Sequence, residues 1–220
     1  MSKSVIILGC GPTHAECPYD KETWGVNGGY NFAKRLDKLF MTDTLEGEVL
    51  EEEYNVDTLK GFNGTLVLAR HFPVFDSLGI PVEIYPIDEI LARFNTRFFS
   101  NTICYMIAYA LHHGYEKIWF FGIDMMPNTC YLQEKGGVEF WMGVALGMGV
   151  EVINTDGSAT GKTWNNRMYG YWGQLQEEML KERLLAPWEI VKAAPESAVI
   201  ADEWVKTGHD WIKIPVSALK

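Results

Sequence analysis

No stretch of this sequence is apolar enough to cross a bilayer, which takes about 20 consecutive apolar residues. Positive charge is scarce: 19 Lys and Arg stand against 29 Asp and Glu, a net charge of −10. Duplex nucleic-acid binding draws much of its affinity from basic clusters that neutralise phosphates, and the Lys and Arg residues here are scattered, so no duplex partner is expected. The run Glu46, Glu48, Glu51, Glu52 and Glu53 reads as a solvated helix face. Cysteine occurs only at 10, 17, 104 and 130, without the CxxC spacing of zinc sites. Cys10 and Cys104 lie in apolar elements and read as small hydrophobes. Met1 to Gly9 runs straight into a strand-like segment with no signal-peptide layout. A reduced, cytoplasmic protein is the expectation.

What is present is an ordinary globular composition, 47% hydrophobic and 22% charged over 220 residues, enough for one domain with a sizeable core. Ser4–Leu8 is a short continuous apolar run ending at Gly9, the pattern of a buried parallel strand. Similar runs cover 23–27, 37–42, 64–69, 82–85, 117–121 and 150–153. Thr102–His113 and Val138–Met148 read as buried helices between strands, and Gln174–Leu185 as a charged amphipathic helix. Alternation of strands and helices predicts an α/β, Rossmann-like domain over 1–193, its largely parallel sheet covered by helices on both faces. Residues 194–220, with a strand-like stretch at Trp211–Pro215, read as a packed, Trp-containing extension on the domain or on a partner such as a second copy in a homo-oligomer.

Polar residues and glycines gather at the strand ends, where open parallel sheets bind their ligands. The first end carries Gly9, Gly11, Pro12 and Thr13; the second Asn27; the third Thr42, Asp43 and Thr44; a later one Gly122 and Asp124. Glycines let backbone approach a ligand, and free N–H groups there can hold an anion. Ser100, Asn101 and Thr102 open a helix, where N–H groups favour phosphate. Asp43 and Asp124 could hold Mg²⁺ against a pyrophosphate or take part in catalysis. His14, beside the glycine loop, is the acid/base candidate by position. The dinucleotide fingerprint is missing, since His14 stands where its third glycine would be. Asp156–Thr163 is not a P-loop either, because Asp156 replaces the first glycine. Tyr169, Tyr171 and Trp172 form an aromatic cluster read as packing.

Gly9-Cys10-Gly11-Pro12-Thr13 is similar to the G-x-GPS opening of the bacterial sialyltransferases of glycosyltransferase family 42 and of the archaeal pterin pyrophosphokinase-like proteins. Trp24–Asn27 resembles their second strand with its nucleotide-contacting Asn. Ser100-Asn101-Thr102, the helix through Leu111, Gly114–Ile118 and Gly122-Ile123-Asp124 resemble their turn, buried helix, Gly-Tyr-x-x-Ile strand and Gly-Ile-Asp end. Tyr131 follows in order. The resemblance spans residues 4–155 and implies a nucleotide-dependent transferase, foremost a glycosyltransferase taking a nucleotide-sugar to a small-molecule or glycan acceptor. The second implied activity is Mg²⁺-dependent diphosphate transfer to a small alcohol such as a pterin. A non-catalytic nucleotide-binding protein is the third reading. The family's histidine base follows its Gly-Ile-Asp strand; here the single histidine after Asp124 is His209, far along the tail.

Overall fold

The computed structural model describes residues 2–43, 59–125 and 131–162, and the backbone of 203–207 and 210–214. The chain divides into two compact units, Met1–Lys162 and Thr163–Lys220. The acidic run, Thr44, Cys130, the aromatic cluster at 169–172, the helix expected at 174–185 and His209 lie outside the described residues.

The first unit is built on seven strands: β1 (Ser4–Leu8), β2 (Glu22–Val26), β3 (Lys38–Met41), β4 (Thr65–Leu68), β5 (Val82–Ile84), β6 (Lys117–Phe121) and β7 (Glu151–Ile153). They pair in the order β5-β4-β3-β2-β1-β6-β7, every pair parallel. This is the α/β, Rossmann-like architecture the alternation predicts. β1 is central, in register with β2 from Val5↔Glu22 and with β6 from Ser4↔Lys117. Its continuous apolar run follows from burial on both faces: Val5 and Ile7 enter one core layer, Ile6 and Leu8 the other.

Three α-helices pack into the first layer: α1 (Ile87–Phe94), α2 (Thr102–His112) and α3 (Tyr131–Gly147). α2 is apolar all round because it is buried all round, from Thr102 to Leu111 except Tyr105. The second layer is covered, among the described residues, by loops and 3-10 helices that supply Cys17, Leu36, Phe72 and Phe75. α1 has no counterpart in the sequence reading, for only Ile90 of its eight residues is buried. α3 begins two turns before the expected Val138. Gly136 and Gly137 look like helix breakers, costing about 1 kcal/mol each against alanine. Gly137 is there because a Cβ would collide with the Ser100 hydroxyl.

Trp24 is fully buried and meets Phe40, Tyr109 and Tyr115 at ring distances of 5.0–5.4 Å. Carboxylates on β2 and β5 satisfy the polar tips of these rings. Glu22 accepts from Trp24 Nε1 at 2.8 Å and from the Tyr115 hydroxyl at 2.6 Å. Glu83 accepts from the Tyr109 hydroxyl and from Lys38 Nζ at 2.5 Å. In the second unit, β8 (Glu203–Thr207) and β9 (Asp210–Ile214) form an antiparallel hairpin, and β9 covers the strand-like stretch from Trp211 to Ile214, Pro215 lying outside the described residues. No helix among the described residues is long and apolar enough to cross a membrane.

Candidate functional site

The strand order reverses at β1. From there the chain builds outward through β2, β3, β4 and β5, then returns to lay β6 and β7 on the other side. Such a reversal leaves a crevice beyond the carboxyl ends of the central strands. A cleft of about 430 Å³ opens there.

The cleft gathers most of the residues singled out in the sequence. Gly9, Gly11 and Pro12 come from the loop after β1, Asn27 from the end of β2, and Asp43 from beyond β3. Ser100, Asn101 and Thr102 come from the start of α2, Gly122 and Asp124 from the end of β6, and Tyr131 from the start of α3. Thr13, Thr42 and His14 are not among the lining residues. Thr42 instead bonds the Thr102 hydroxyl at 2.9 Å, tying β3 to α2. His14 Nδ1 lies 2.9 Å from the Gly11 carbonyl, and its ring packs 4.2 Å from that of Phe32.

Three N–H groups of the glycine loop are engaged within the protein. Gly9 N–H donates to Phe121 O and Gly11 N–H to Gly122 O, each at 2.8 Å. Thr13 N–H donates to Asp124 Oδ2 at 3.0 Å, and the Thr13 hydroxyl to Asp124 Oδ1. The glycines are needed for loop-on-loop packing: a Cβ on Gly9 would overlap the Gly122 carbonyl, and one on Gly122 the Gly9 carbonyl. Gly122 also has φ +68°, the left-handed region that glycine enters without penalty.

Asn27 carries the most specific polar geometry. It has φ +43°, and its Nδ2 donates to Asp43 Oδ2 at 2.6 Å. Its Oδ1 is buried and, among the described residues, has no hydrogen-bond partner. A buried amide oxygen left without a donor costs about 1–3 kcal/mol, so it marks a place where a ligand donor fits.

Six lining residues were not anticipated: the apolar Val26, Ile103, Ile123 and Met125, and two with reactive side chains, Cys10 and Glu134. Cys10 is exposed at the cleft rather than packed as a small hydrophobe, with Sγ 3.8 Å from Val26 O. It alternates with Gly9 and Gly11 just past the strand end, where the chain leaves the sheet. Glu134, in the first turn of α3, accepts from Asn101 Nδ2 at 2.9 Å through Oε2, while its backbone carbonyl accepts from the Ser100 hydroxyl at 2.8 Å. No local sequence pattern signals it, since its partners are 33 and 34 residues away.

No Lys, Arg or His lines the cleft among the described residues. The chain segments 44–58 and 126–130 also contain none. No group of three or more His, Cys, Asp or Glu side chains among the described residues is placed to hold a metal ion. Asp124, 4% exposed, has both oxygens engaged by Thr13. Asp43 and Asp124, the pair expected to hold Mg²⁺, both line the cleft.

No family model matches the chain, and no curated protein matches it. Solved structures do. The sialyltransferase CstII from Campylobacter jejuni, in complex with the substrate analogue cytidine-5'-monophosphate, superposes with a TM-score of 0.51 at 17% identity, over 76% of this chain and 87% of that one. A single-residue variant of the sialyltransferase CST-II in complex with CMP gives 0.51 at 16% identity, over 76% and 88%. The MAf glycosyltransferase from Magnetospirillum magneticum AMB-1 gives 0.52 at 13% identity, over 84% of this chain and 37% of that one. The chain therefore shares the α/β fold of these sialyltransferase and glycosyltransferase structures.

Proposed function

We propose that this protein is a glycosyltransferase that uses a nucleotide-activated sugar. The observation that carries the reading is the buried, unpartnered Oδ1 of Asn27 beside the Asp43 carboxylate, inside the crevice at the strand reversal. Together they offer acceptors to the hydroxyls of a ribose or the amino group of a base. Ser100, Asn101 and Thr102 at the start of α2 line the same space, where the hydroxyls and the first N–H groups of the helix would orient the nucleoside and its phosphate. Tyr131 would contribute its hydroxyl from α3. The structures sharing this fold include complexes with CMP, which supports a nucleotide of that kind.

Among the described residues no basic side chain lines the cleft, which bears on the phosphate count. A triphosphate or diphosphate needs Lys, Arg or a metal to balance its charge. A single phosphate carrying one charge, as in a nucleoside monophosphate joined to a sugar, needs less and can be held by N–H and hydroxyl groups. This favours a monophosphate-activated donor over diphosphate transfer from ATP.

The test is a thermal-shift series with CMP, CDP, UDP, GDP, ADP and ATP, each with and without Mg²⁺. A ligand that binds the native state raises the melting temperature by mass action. A shift with CMP or another monophosphate, independent of Mg²⁺, is expected. A shift only with ATP and Mg²⁺ would move the assignment to diphosphate transfer. Silence with every nucleotide at millimolar concentration would refute the nucleotide reading.

A further inference from the structure

We infer that Glu134 is the general base that accepts the proton of the acceptor hydroxyl; the inference rests on the glycosyltransferase reading above. Transfer of a sugar to an alcohol needs a group near the anomeric carbon to take that proton. Histidine does not supply it from the described part of the molecule: His14, His71, His112 and His113 all lie outside the cleft lining. Among the described residues, the carboxylates lining the cleft are Asp43, Asp124 and Glu134.

Their surroundings separate them. Asp124 is buried, with both oxygens bonded to Thr13, so it holds the glycine loop. Asp43 bonds the Asn27 amide, on the side assigned to the nucleoside. Glu134 stands on α3, one turn after Tyr131, at the start of the helix that closes the cleft against α2. Only its Oε2 is engaged, by Asn101 Nδ2; among the described residues nothing donates to Oε1. Asn101 is itself fixed, because its Oδ1 accepts from Cys104 N–H at 3.2 Å as the cap of α2. One carboxylate oxygen is thus anchored through a capped helix and the other is available to an incoming hydroxyl.

In the step itself, the acceptor O–H bond breaks and its proton passes to Glu134 Oε1. The acceptor oxygen bonds to the anomeric carbon. The bond from that carbon to the phosphate oxygen breaks, and its electron pair leaves with the nucleotide. Glu134 then returns the proton to water.

The experiment compares the full-length wild type with Glu134→Gln and Glu134→Ala. Two quantities are measured: CMP affinity by calorimetry, and CMP release from a CMP-activated sugar with water or added mono- and disaccharides as acceptor. Gln can still accept from Asn101 but cannot take a proton. The expected result is CMP affinity within about 2-fold of wild type and kcat lowered about 100-fold or more. Formate should restore part of the turnover of Glu134→Ala, where it fits the vacated space, and none of Glu134→Gln. Turnover of Glu134→Gln within about 5-fold of wild type overturns the role, as does loss of CMP affinity in step with turnover. A wild type that binds no nucleotide, or binds CMP and leaves the sugar bond intact, overturns the glycosyltransferase reading, and the role of Glu134 falls with it.

Discussion

Thr13 holds both oxygens of Asp124, its N–H reaching Oδ2 at 3.0 Å and its hydroxyl reaching Oδ1. The same hydroxyl accepts from Gly122 N–H at 2.8 Å, so one side chain joins the loops after β1 and β6. Replacing Thr13 by Val keeps the volume and removes the hydroxyl. It leaves a nearly buried carboxylate oxygen and the Gly122 N–H without partners. Losing a hydrogen bond to a charged group and stranding two buried atoms costs about 2–4 kcal/mol. Urea unfolding should read that loss for Thr13→Val and a much smaller one for Thr13→Ser. A loss for Thr13→Val below about 0.5 kcal/mol, the range of an ordinary surface change, would mean that the hydroxyl does not bridge the loops.

Asn27 combines a left-handed backbone with an amide in the cleft, and two variants separate the roles. Asn27→Gly suits φ +43° and deletes the amide. Asn27→Ala deletes the amide and forces a Cβ into a conformation costing about 1–2 kcal/mol. Both should weaken CMP binding by about tenfold or more, the worth of one good hydrogen bond. Only Asn27→Ala should also lower the melting temperature appreciably. Unchanged CMP affinity in Asn27→Gly would remove this residue from the binding site.

Part of this molecule is legible in its sequence because the physical cause is local. β1 and β6 are continuous apolar runs bounded by turn residues, and their limits at Ser4–Leu8 and Lys117–Phe121 can be read directly. The crowding of Gly, Asn and Asp at strand ends likewise points to the crevice, because topology alone places those ends together. The function of Gly9, Gly11 and Gly122 is not legible. They read as residues opening the backbone to a ligand, and they line the cleft, but their N–H groups and missing Cβ atoms also serve the contact between two loops more than 100 residues apart. Glu134 and the true start of α3 were hidden for a related reason. The Gly136-Gly137 pair signals a break locally, and only the Ser100 side chain, brought in by α2, explains why a glycine is required inside the helix. Cys10 follows an apolar strand, and nothing local says that the chain turns it outward at that residue.

The carboxylate at Glu83 links stability to acid. Burial pushes its pKa up, but the hydrogen bonds from Lys38 and Tyr109, with the Lys38 charge, outweigh this and hold it below the ordinary 4.5. A folded-state pKa below the unfolded one contributes stability that is present above pH 4.5 and is lost as pH falls through the folded value. Glu83→Gln should therefore be less stable than wild type at pH 7, and the gap should narrow as pH drops below 4.5. Melting temperatures of both proteins between pH 3 and 7 check this. A gap that stays constant over that range would assign the effect of the substitution to packing rather than to charge.

Cys10 supplies a reporter for the cleft. It is exposed there, whereas Cys17 and Cys104 are buried. Desolvation raises its thiol above the ordinary 9.0, so the thiolate is a minor form at pH 8 and reacts more slowly than that of a free cysteine. Access still favours it strongly over the two buried thiols. In a Cys130→Ser background, which removes the cysteine outside the described residues, a disulfide reagent should label the native protein with a leading phase that disappears when Cys10→Ser is added. If CMP occupies the cleft, a concentration of 100 times its Kd leaves about 1% of sites open, and the leading phase should slow by up to about 100-fold. The comparison is informative because binding and location are read separately. A CMP-induced rise in melting temperature with no protection of Cys10 would place the nucleotide outside this crevice, even though the protein binds it.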